Sequence, residues 1–327
     1  MLSFSKCDST ERANEIQELF VRNDRPTFPR FFDRAYRTLS AEGGASWVVT
    51  DDSGRVVMHV ALFPRTFRGR GRTCHAGMLG DLVADQEYRD FWTPLKMFRR
   101  AIADIKREGR VDFLYTDPSP NSVAIAKGAG FTPLGDLRRF VAPTNPLYLT
   151  FCGLRGRARR LQTSESAALT LGRGDADIDP LHSSREFRAA RTVSFYGTRE
   201  NGEVAPRSRY VIMRSPKSAN GNADGIGMLA APEGSDTASL VDLLWRDGSI
   251  AVQDALHAVA RRARAGGFRK MSCVTLEGSG FADALKRYGF VPREVIQPIF
   301  WLAVRTPASP PPEASEWMLT SLDGSAW

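Results

Sequence analysis

The feature that most constrains this chain is a change of hydrophobic period that occurs twice, in the same order. From Ser46 to Thr50, Val56 to Phe67 and Arg72 to Ala84, apolar and polar residues alternate, which is the period of a half-buried strand. Asp51-Asp52-Ser53-Gly54 and Arg68-Gly69-Arg70-Gly71 separate these runs as tight turns, so the three read as an antiparallel meander. Then the spacing becomes helical. Leu95, Phe98, Ala101, Ile102 and Ile105 fall on one face, with Thr93 read as the cap, Pro94 as the first helical residue and Gly109 just beyond the end. Val111 to Tyr115 reads as a buried strand, Asn121 to Ala129 as a short helix, and Gly130-Phe131 as the exit into a strand near Leu137 to Val141. Ahead of the meander, Ser3 to Lys6 is a strand candidate, and Glu11 to Leu39 reads as helical.

The second half repeats the order. Tyr210 to Met213, Gly225 to Ala230 and Ser239 to Trp245 read as strands, Ile250 to Ala265 as a helix, Met271 to Leu276 as a strand, and Phe281 to Tyr288 as a short helix leading to Gly289-Phe290. Asp81 stands 50 residues before Phe131, and Asp242 stands 48 before Phe290. Gly80-Asp81-Leu82-Val83 parallels Val241-Asp242-Leu243-Leu244, and both exits read Gly-Phe-x-Pro. A tandem duplication is the expectation.

A length of 327 residues is too great for one ordinary hydrophobic core and suits two. The expected division is 1–150, an intervening segment 151–180 that contains the arginine-rich run Gly153 to Arg160, and 181–327. Pro307 to Pro312 reads as a bridge to one last strand candidate at Glu316 to Thr320, followed by an exposed tail. No apolar run reaches the roughly 20 residues of a membrane span. The first twenty residues carry Asp8, Glu11, Arg12 and Glu15, so a cytoplasmic protein is expected. Cys7, Cys74, Cys152 and Cys273 form no CxxC pair and read as mostly buried thiols, and no metal site is expected. The net charge of +8 favours phosphate-bearing partners without choosing among nucleic acid, lipid and a phosphorylated cofactor.

Gly80-Asp81-Leu82-Val83 running into Tyr88-Arg89, the helix that follows, the Val111 to Tyr115 strand, and Asn121 leading to Gly130-Phe131 resemble the GCN5-related N-acetyltransferase superfamily. The elements occur twice, in the manner of tandem and FemAB-like acyltransferases. The resemblance implies an α/β fold of two GNAT-like domains, each a mixed, mostly antiparallel sheet flanked by helices. It also implies acetyl-CoA or another acyl-CoA as cofactor, held along Leu82 and Val83, by Arg89 and by the Trp92-Thr93 turn, with Asn121 near the pantetheine arm. The family's glycine-rich loop is here Arg89-Asp90-Phe91-Trp92-Thr93-Pro94. Trp92 stands where the close-approach glycine belongs, and Asp90 replaces another glycine, adding bulk and repulsion where a phosphate would sit. The second-half loop, Arg246-Asp247-Gly248-Ser249, departs further.

Amine acylation needs an acceptor for the amine's proton and donors for the developing oxyanion. Asp81 is the first candidate, because an ionised side chain in an apolar strand is costly unless paired or open to a cleft. His75 lies six residues away, on the same face if the strand alternates without interruption. Asp242 holds the corresponding second-half place. The family's tyrosine position is Ala126 here and Leu285 in the second half, which leaves Tyr115 as the nearby hydroxyl. Each of these residues also has a structural reading: hydrogen bonding for Asp81 and His75, core packing for Tyr115, helix capping for Asn121 and a surface ion pair for Arg89. A small-molecule or amino-sugar amine is the expected acceptor. The alternatives are an aminoacyl-tRNA-dependent transferase and a non-catalytic module of the same fold.

Overall fold

The chain opens with a strand, β1 (Ser3–Cys7), and a helix, α1 (Ala13–Arg22), whose Ile16, Leu19 and Phe20 share one face and are buried. The structure is a computed structural model and describes residues 1–8, 10–26, 32, 36, 40, 43–145, 162–166, 186–191, 208–214, 223–246, 250–305 and 313–320. The sequence expectation of one helical stretch from Glu11 to Leu39 is corrected at Asn23. Its side-chain amide donates to the Leu19 carbonyl at 2.7 Å, and Asp24 turns to φ 62°, which ends α1.

β2 (Ala45–Thr50) and β3 (Val56–Gly69) pair antiparallel across a turn organised by Asp51, whose Oδ1 accepts from the amides of Ser53 (2.9 Å) and Arg55 (3.0 Å). Arg70 and Gly71 both take positive φ, the conformation that suits a two-residue hairpin, and lead into β4 (Arg72–Ala84). α2 (Trp92–Glu108) follows. Its Leu95, Met97, Phe98, Ala101, Ile102 and Ile105 are buried against Val49, Val57, Val60, Leu79 and Leu114. Each large side chain withdrawn from water there contributes about 1.5–3 kcal/mol. Gly109 ends α2 at φ 61°, donating its amide to the Ile105 carbonyl. β5 (Phe113–Thr116), α3 (Val123–Gly128) and β6 (Thr132–Pro143) come next.

Further on are β7 (Gln162–Ser166), β8 (Phe187–Ala189), β9 (Ser208–Arg214), β10 (Gly225–Ala230), β11 (Thr237–Trp245), α4 (Val252–Ala265), β12 (Lys270–Leu276), α5 (Gly280–Tyr288), β13 (Val291–Ala303) and β14 (Trp317–Met318). α5 is capped by Ser279, whose hydroxyl accepts from the Ala282 amide, and closed by Gly289 at φ 107°. The run Gly153 to Arg160, Cys152, the loop residues Asp247 to Ser249 and the tail from Ser321 lie outside the described residues.

Two compact units result. One comprises Met1–Thr66, Cys74–Leu134 and Gln297–Pro311, and the other Phe67–Thr73, Gly135–Ile296 and Pro312–Trp327. In the first, strands lie in the order β1-β2-β3-β4-β5-β13, with β13 contributed by the far end of the chain through Phe300↔Thr116 to Ala303↔Phe113. In the second the order is β6-β12-β11-β10-β9-β7, with β6 contributed by the first half of the chain through Leu137↔Leu276 to Pro143↔Lys270. Each is a mixed, largely antiparallel sheet with helices packed on it, and each half of the sequence completes the other's sheet.

Candidate active site

Among the described residues of the first unit there is one parallel strand pair, and it is brief. β4 and β5 pair at Ala76↔Phe113, Gly77↔Leu114 and Met78↔Tyr115, after which β4 runs on to Ala84 without that partner. β5 itself ends at Thr116, so residues 79–84 of β4 run past the end of this pairing, the place called the fork below. Gly77 lies at its base, where a Cβ would fall 2.3 Å from Leu62 Cδ1 and 2.8 Å from Leu114 Cδ2 and oblige those side chains to shift. Tyr115 sits at the crotch, 2% exposed, paired with Met78 on one side and Trp301 on the other.

Asp81 stands one turn of pleat beyond the fork, at φ 54°, a left-handed conformation that aspartate tolerates better than most residues. That kink interrupts the strict alternation of β4. Its side chain is 7% exposed, Oδ2 accepts from the Tyr36 hydroxyl at 2.7 Å, and Oδ1 lies 3.8 Å from an Arg25 nitrogen. Burial raises the Asp81 pKa above its ordinary value. The Tyr36 bond and the Arg25 charge pull it back, and Asp117 pushes it further up. Tyr36 is fully buried, stacked on Phe32 at 4.4 Å, and its own pKa is driven well up by burial and by the Asp81 charge. Behind the strand, His59 is fully buried and held neutral, its pKa lowered to about 4 by desolvation. Its Nδ1 donates to the Asp81 carbonyl at 3.2 Å, which leaves Nε2 to accept from the Ser46 hydroxyl at 3.0 Å.

Tyr36, Arg25 and Asp117 were not singled out from the sequence. Tyr36 lies 45 residues from its partner, too far for any spacing rule to join them. Asp117 carried a signal, being a carboxylate directly after a buried strand, and it is 5% exposed with its carbonyl accepting from Gln297 Nε2 at 2.8 Å. The structure does not bring His75 to Asp81. His75 is exposed, six residues back along β4, where its carbonyl accepts from the Asp112 amide at 2.6 Å and its amide donates to the Asp112 carboxylate at 2.8 Å. Leu82 is half-buried and Val83 buried, both on the part of β4 beyond the fork.

At the start of α2 the capping expectation is corrected. Asp90, not Thr93, supplies the cap: its Oδ1 accepts from the amides of Trp92 (2.6 Å) and Thr93 (2.8 Å), and the helix begins at Trp92. These bonds, the one from the Thr93 amide foremost, lower the Asp90 pKa. Pro94 lies in the first turn, where its missing N–H is no loss. The Trp92 side chain is 66% exposed and meets Phe91 edge-on at 5.1 Å, so it points to solvent. Arg89 is exposed but engaged: its Nε donates to the Ala84 carbonyl at 2.9 Å, and a second nitrogen donates to Asn23 Oδ1. Asn23 in turn bonds Asp85, which Arg22 also holds at 2.9 Å, so this polar chain fixes the loop. Asn121 is exposed in a single 3₁₀ turn, Pro120–Ser122, and makes no cap. Ser122 precedes α3 without a side-chain cap bond.

The second unit has a fork of its own. β11 and β12 pair in parallel from Thr237↔Lys270 to Leu240↔Cys273 and then diverge. Here the divergence is filled. Thr275 bridges Thr320, its hydroxyl donating to the Leu319 carbonyl at 2.7 Å, and β14 beside it pairs with β8. Asp242 is buried and ion-paired with Arg191 at 2.9 Å, each side chain under 5% exposed. Arg188 lies 3.5 Å over the Trp245 ring. His257 is half-buried against Tyr288 at 4.7 Å, with its pKa lowered by burial. Arg246 is described, and the rest of that loop is not.

No protein-family model matches the sequence, and no curated protein matches it significantly. Solved structures do match. One is a protein of Enterococcus faecalis described as a probable N-acyltransferase, with TM-score 0.69, 15% identity and 93% of this chain aligned to 72% of that one. Another is a GCN5-related N-acetyltransferase of Anabaena variabilis, with TM-score 0.69, 10% identity and coverage of 93% and 73%. A third is a tandem GNAT protein from the clavulanic acid biosynthesis pathway, with TM-score 0.53, 13% identity and coverage of 94% and 100%. At these identities the likeness establishes the fold alone, one this chain shares with structures described as GCN5-related N-acetyltransferases. Among the described residues no helix is long and apolar enough to cross a membrane.

Proposed function

We propose that the first unit is the working half of an N-acyltransferase that moves an acyl group onto an amine by direct attack, without a covalent intermediate on the protein. The observation that carries this reading is the fork beside β4, with a buried carboxyl of raised pKa, Asp81, at its kink. In its ionised form this carboxylate takes one proton from the incoming ammonium; the freed amine then forms the C–N bond as the thioester C–S bond breaks, and the amine's second proton leaves with the thiolate as a free thiol. Tyr36 fixes which oxygen faces the acceptor, and His59, neutral and bonded to the Asp81 carbonyl, keeps the kink in place. The acceptor is a small-molecule or amino-sugar amine.

Acetyl-CoA or another acyl-CoA is the donor the fold implies. Its diphosphate does not fit the start of α2, where the Trp92 and Thr93 amides are taken by Asp90 and Arg89 is engaged with Ala84 and Asn23. The contributions of this chain's own residues therefore lie on the acceptor side. We read the chain as two copies of one fold, on the strength of the repeated element order and the matching ends of the two parallel strand pairs. The second copy serves as scaffold, since its fork holds Leu319 and Thr320 and its aspartate is spent on Arg191.

The net charge of +8 favours one further reading, a transferase using aminoacyl-tRNA, which predicts RNA binding that weakens steeply with salt. To test the main reading, the purified protein is incubated with acetyl and longer acyl thioesters of pantetheine and of coenzyme A against a panel of primary amines, and products are read by mass spectrometry. A protein-dependent amide is expected. No amide from any pairing would remove the proposal.

A further inference from the structure

The residues at the start of α2 disagree with the cofactor the fold implies, and the disagreement can be located on one carboxylate. In a helix the first amides have no partner within the helix and are free to bind an anion. In this turn none beyond Phe91 remains free. Trp92 and Thr93 donate to Asp90 Oδ1 at 2.6 and 2.8 Å, Pro94 has no N–H, and Leu95 donates to the Phe91 carbonyl at 3.3 Å. The bonds that hold Asp90 also lower its pKa, so it stays anionic at neutral pH. A diphosphate arriving here meets a resident negative charge instead of two open donors. The nearest loop cation, Arg89, is turned back to Ala84 and Asn23.

We propose that Asp90 determines the class of donor: it excludes diphosphate-bearing thioesters from the start of α2 and leaves the fork to an acyl thioester whose arm seats no diphosphate there. The inference takes the thioester class from the acyl-transfer reading, yet its test is a binding measurement that needs no turnover. The binding of acetyl-CoA and of S-acetyl-pantetheine, the same thioester without the nucleotide and diphosphate, is compared by calorimetry for the full-length chain. Wild type binds the two with affinities within about threefold of each other. Asp90→Gly, which removes the carboxylate and returns both amides, gains about tenfold or more for acetyl-CoA and keeps its affinity for acetyl-pantetheine. Asp90→Asn keeps a neutral cap and guards against a folding artefact. It retains the wild-type circular dichroism spectrum and gains less than Asp90→Gly, because its side-chain oxygen still occupies the amides. The proposal is overturned if wild type already prefers acetyl-CoA by more than tenfold, or if folded Asp90→Gly shows no gain for it. A gain in Asp90→Gly with no amide product from any variant would sustain the role of Asp90 and remove the acyl-transfer reading instead.

Discussion

Replacing Asp81 by asparagine separates the cost of a buried charge from the worth of the hydrogen bond it makes. Asparagine keeps an oxygen for the Tyr36 hydroxyl and tolerates φ 54°, so the change removes charge and little else. Because the folded pKa of Asp81 lies above the unfolded value, the native state binds this proton more tightly than the unfolded chain. That contribution is fully present below the unfolded pKa and is lost as pH rises through the folded one. Each pH unit within that window costs the wild type about 1.4 kcal/mol relative to Asp81→Asn, after which the difference is flat. Loss of the Arg25 pair offsets at most about 1 kcal/mol, since Arg25 is 53% exposed. Asp81→Ala behaves differently at every pH. It leaves a buried hydroxyl without this acceptor, at about 1–3 kcal/mol, and puts a residue less suited to it at a left-handed position. Urea unfolding followed by circular dichroism at a series of pH values from ~4 to ~8 reads all three proteins. A variant that matches wild type in acid and overtakes it toward neutrality supports the argument. If Asp81→Asn loses stability relative to wild type as pH rises, the carboxylate is stabilised by its surroundings and the argument is wrong.

Three further outcomes are expected. His59 is neutral in the fold with a pKa of about 4, so stability is full above the unfolded value near 6.5 and falls by about 3 kcal/mol as pH drops through the folded one. His59→Gln flattens that acid limb in the same unfolding series, and an unchanged limb would assign it to other groups. Arg191→Ala removes the ion pair of the buried Asp242 and costs about 3–5 kcal/mol by urea unfolding. A loss below 1 kcal/mol would show that the pair is solvated. Trp317→Ala removes a ring held against Phe67 at 5.0 Å and Phe187 at 5.9 Å and costs about 3–5 kcal/mol, read as a lowered thermal midpoint. A midpoint unchanged from wild type would show that the C-terminal strand is dispensable.

Local chemistry made much of the fold legible. The meander, α2 and α5 follow from alternation, turn residues and glycines that the backbone uses at positive φ, such as Gly109 and Gly289. The exchange of β6 and β13 was not legible, because pairing Cys273 with Phe140 or Trp301 with Tyr115 joins residues far apart in sequence, and no local pattern encodes it. Nor was β8, whose three residues are too short to show a period. At the site, Asp81 stood out because a carboxylate interrupts an apolar strand, but its partners Tyr36 and Arg25 come from another part of the chain. Period two placed His75 on the same face as Asp81, and the kink at Asp81 is where that rule fails. Asp90 could be seen as an anomaly in the loop. That it accepts the helix's own amides depends on a loop geometry the sequence does not reveal.

The most direct test is a side-by-side measurement of amide formation by wild type, Asp81→Asn and Asp242→Asn, each checked for native circular dichroism at the assay temperature. The account predicts that Asp81→Asn loses at least a hundredfold in rate, whereas Asp242→Asn, once shown to be folded, keeps activity within a few-fold of wild type. Full activity in Asp81→Asn, or its loss only in Asp242→Asn, would move the chemistry away from the first fork and contradict the account.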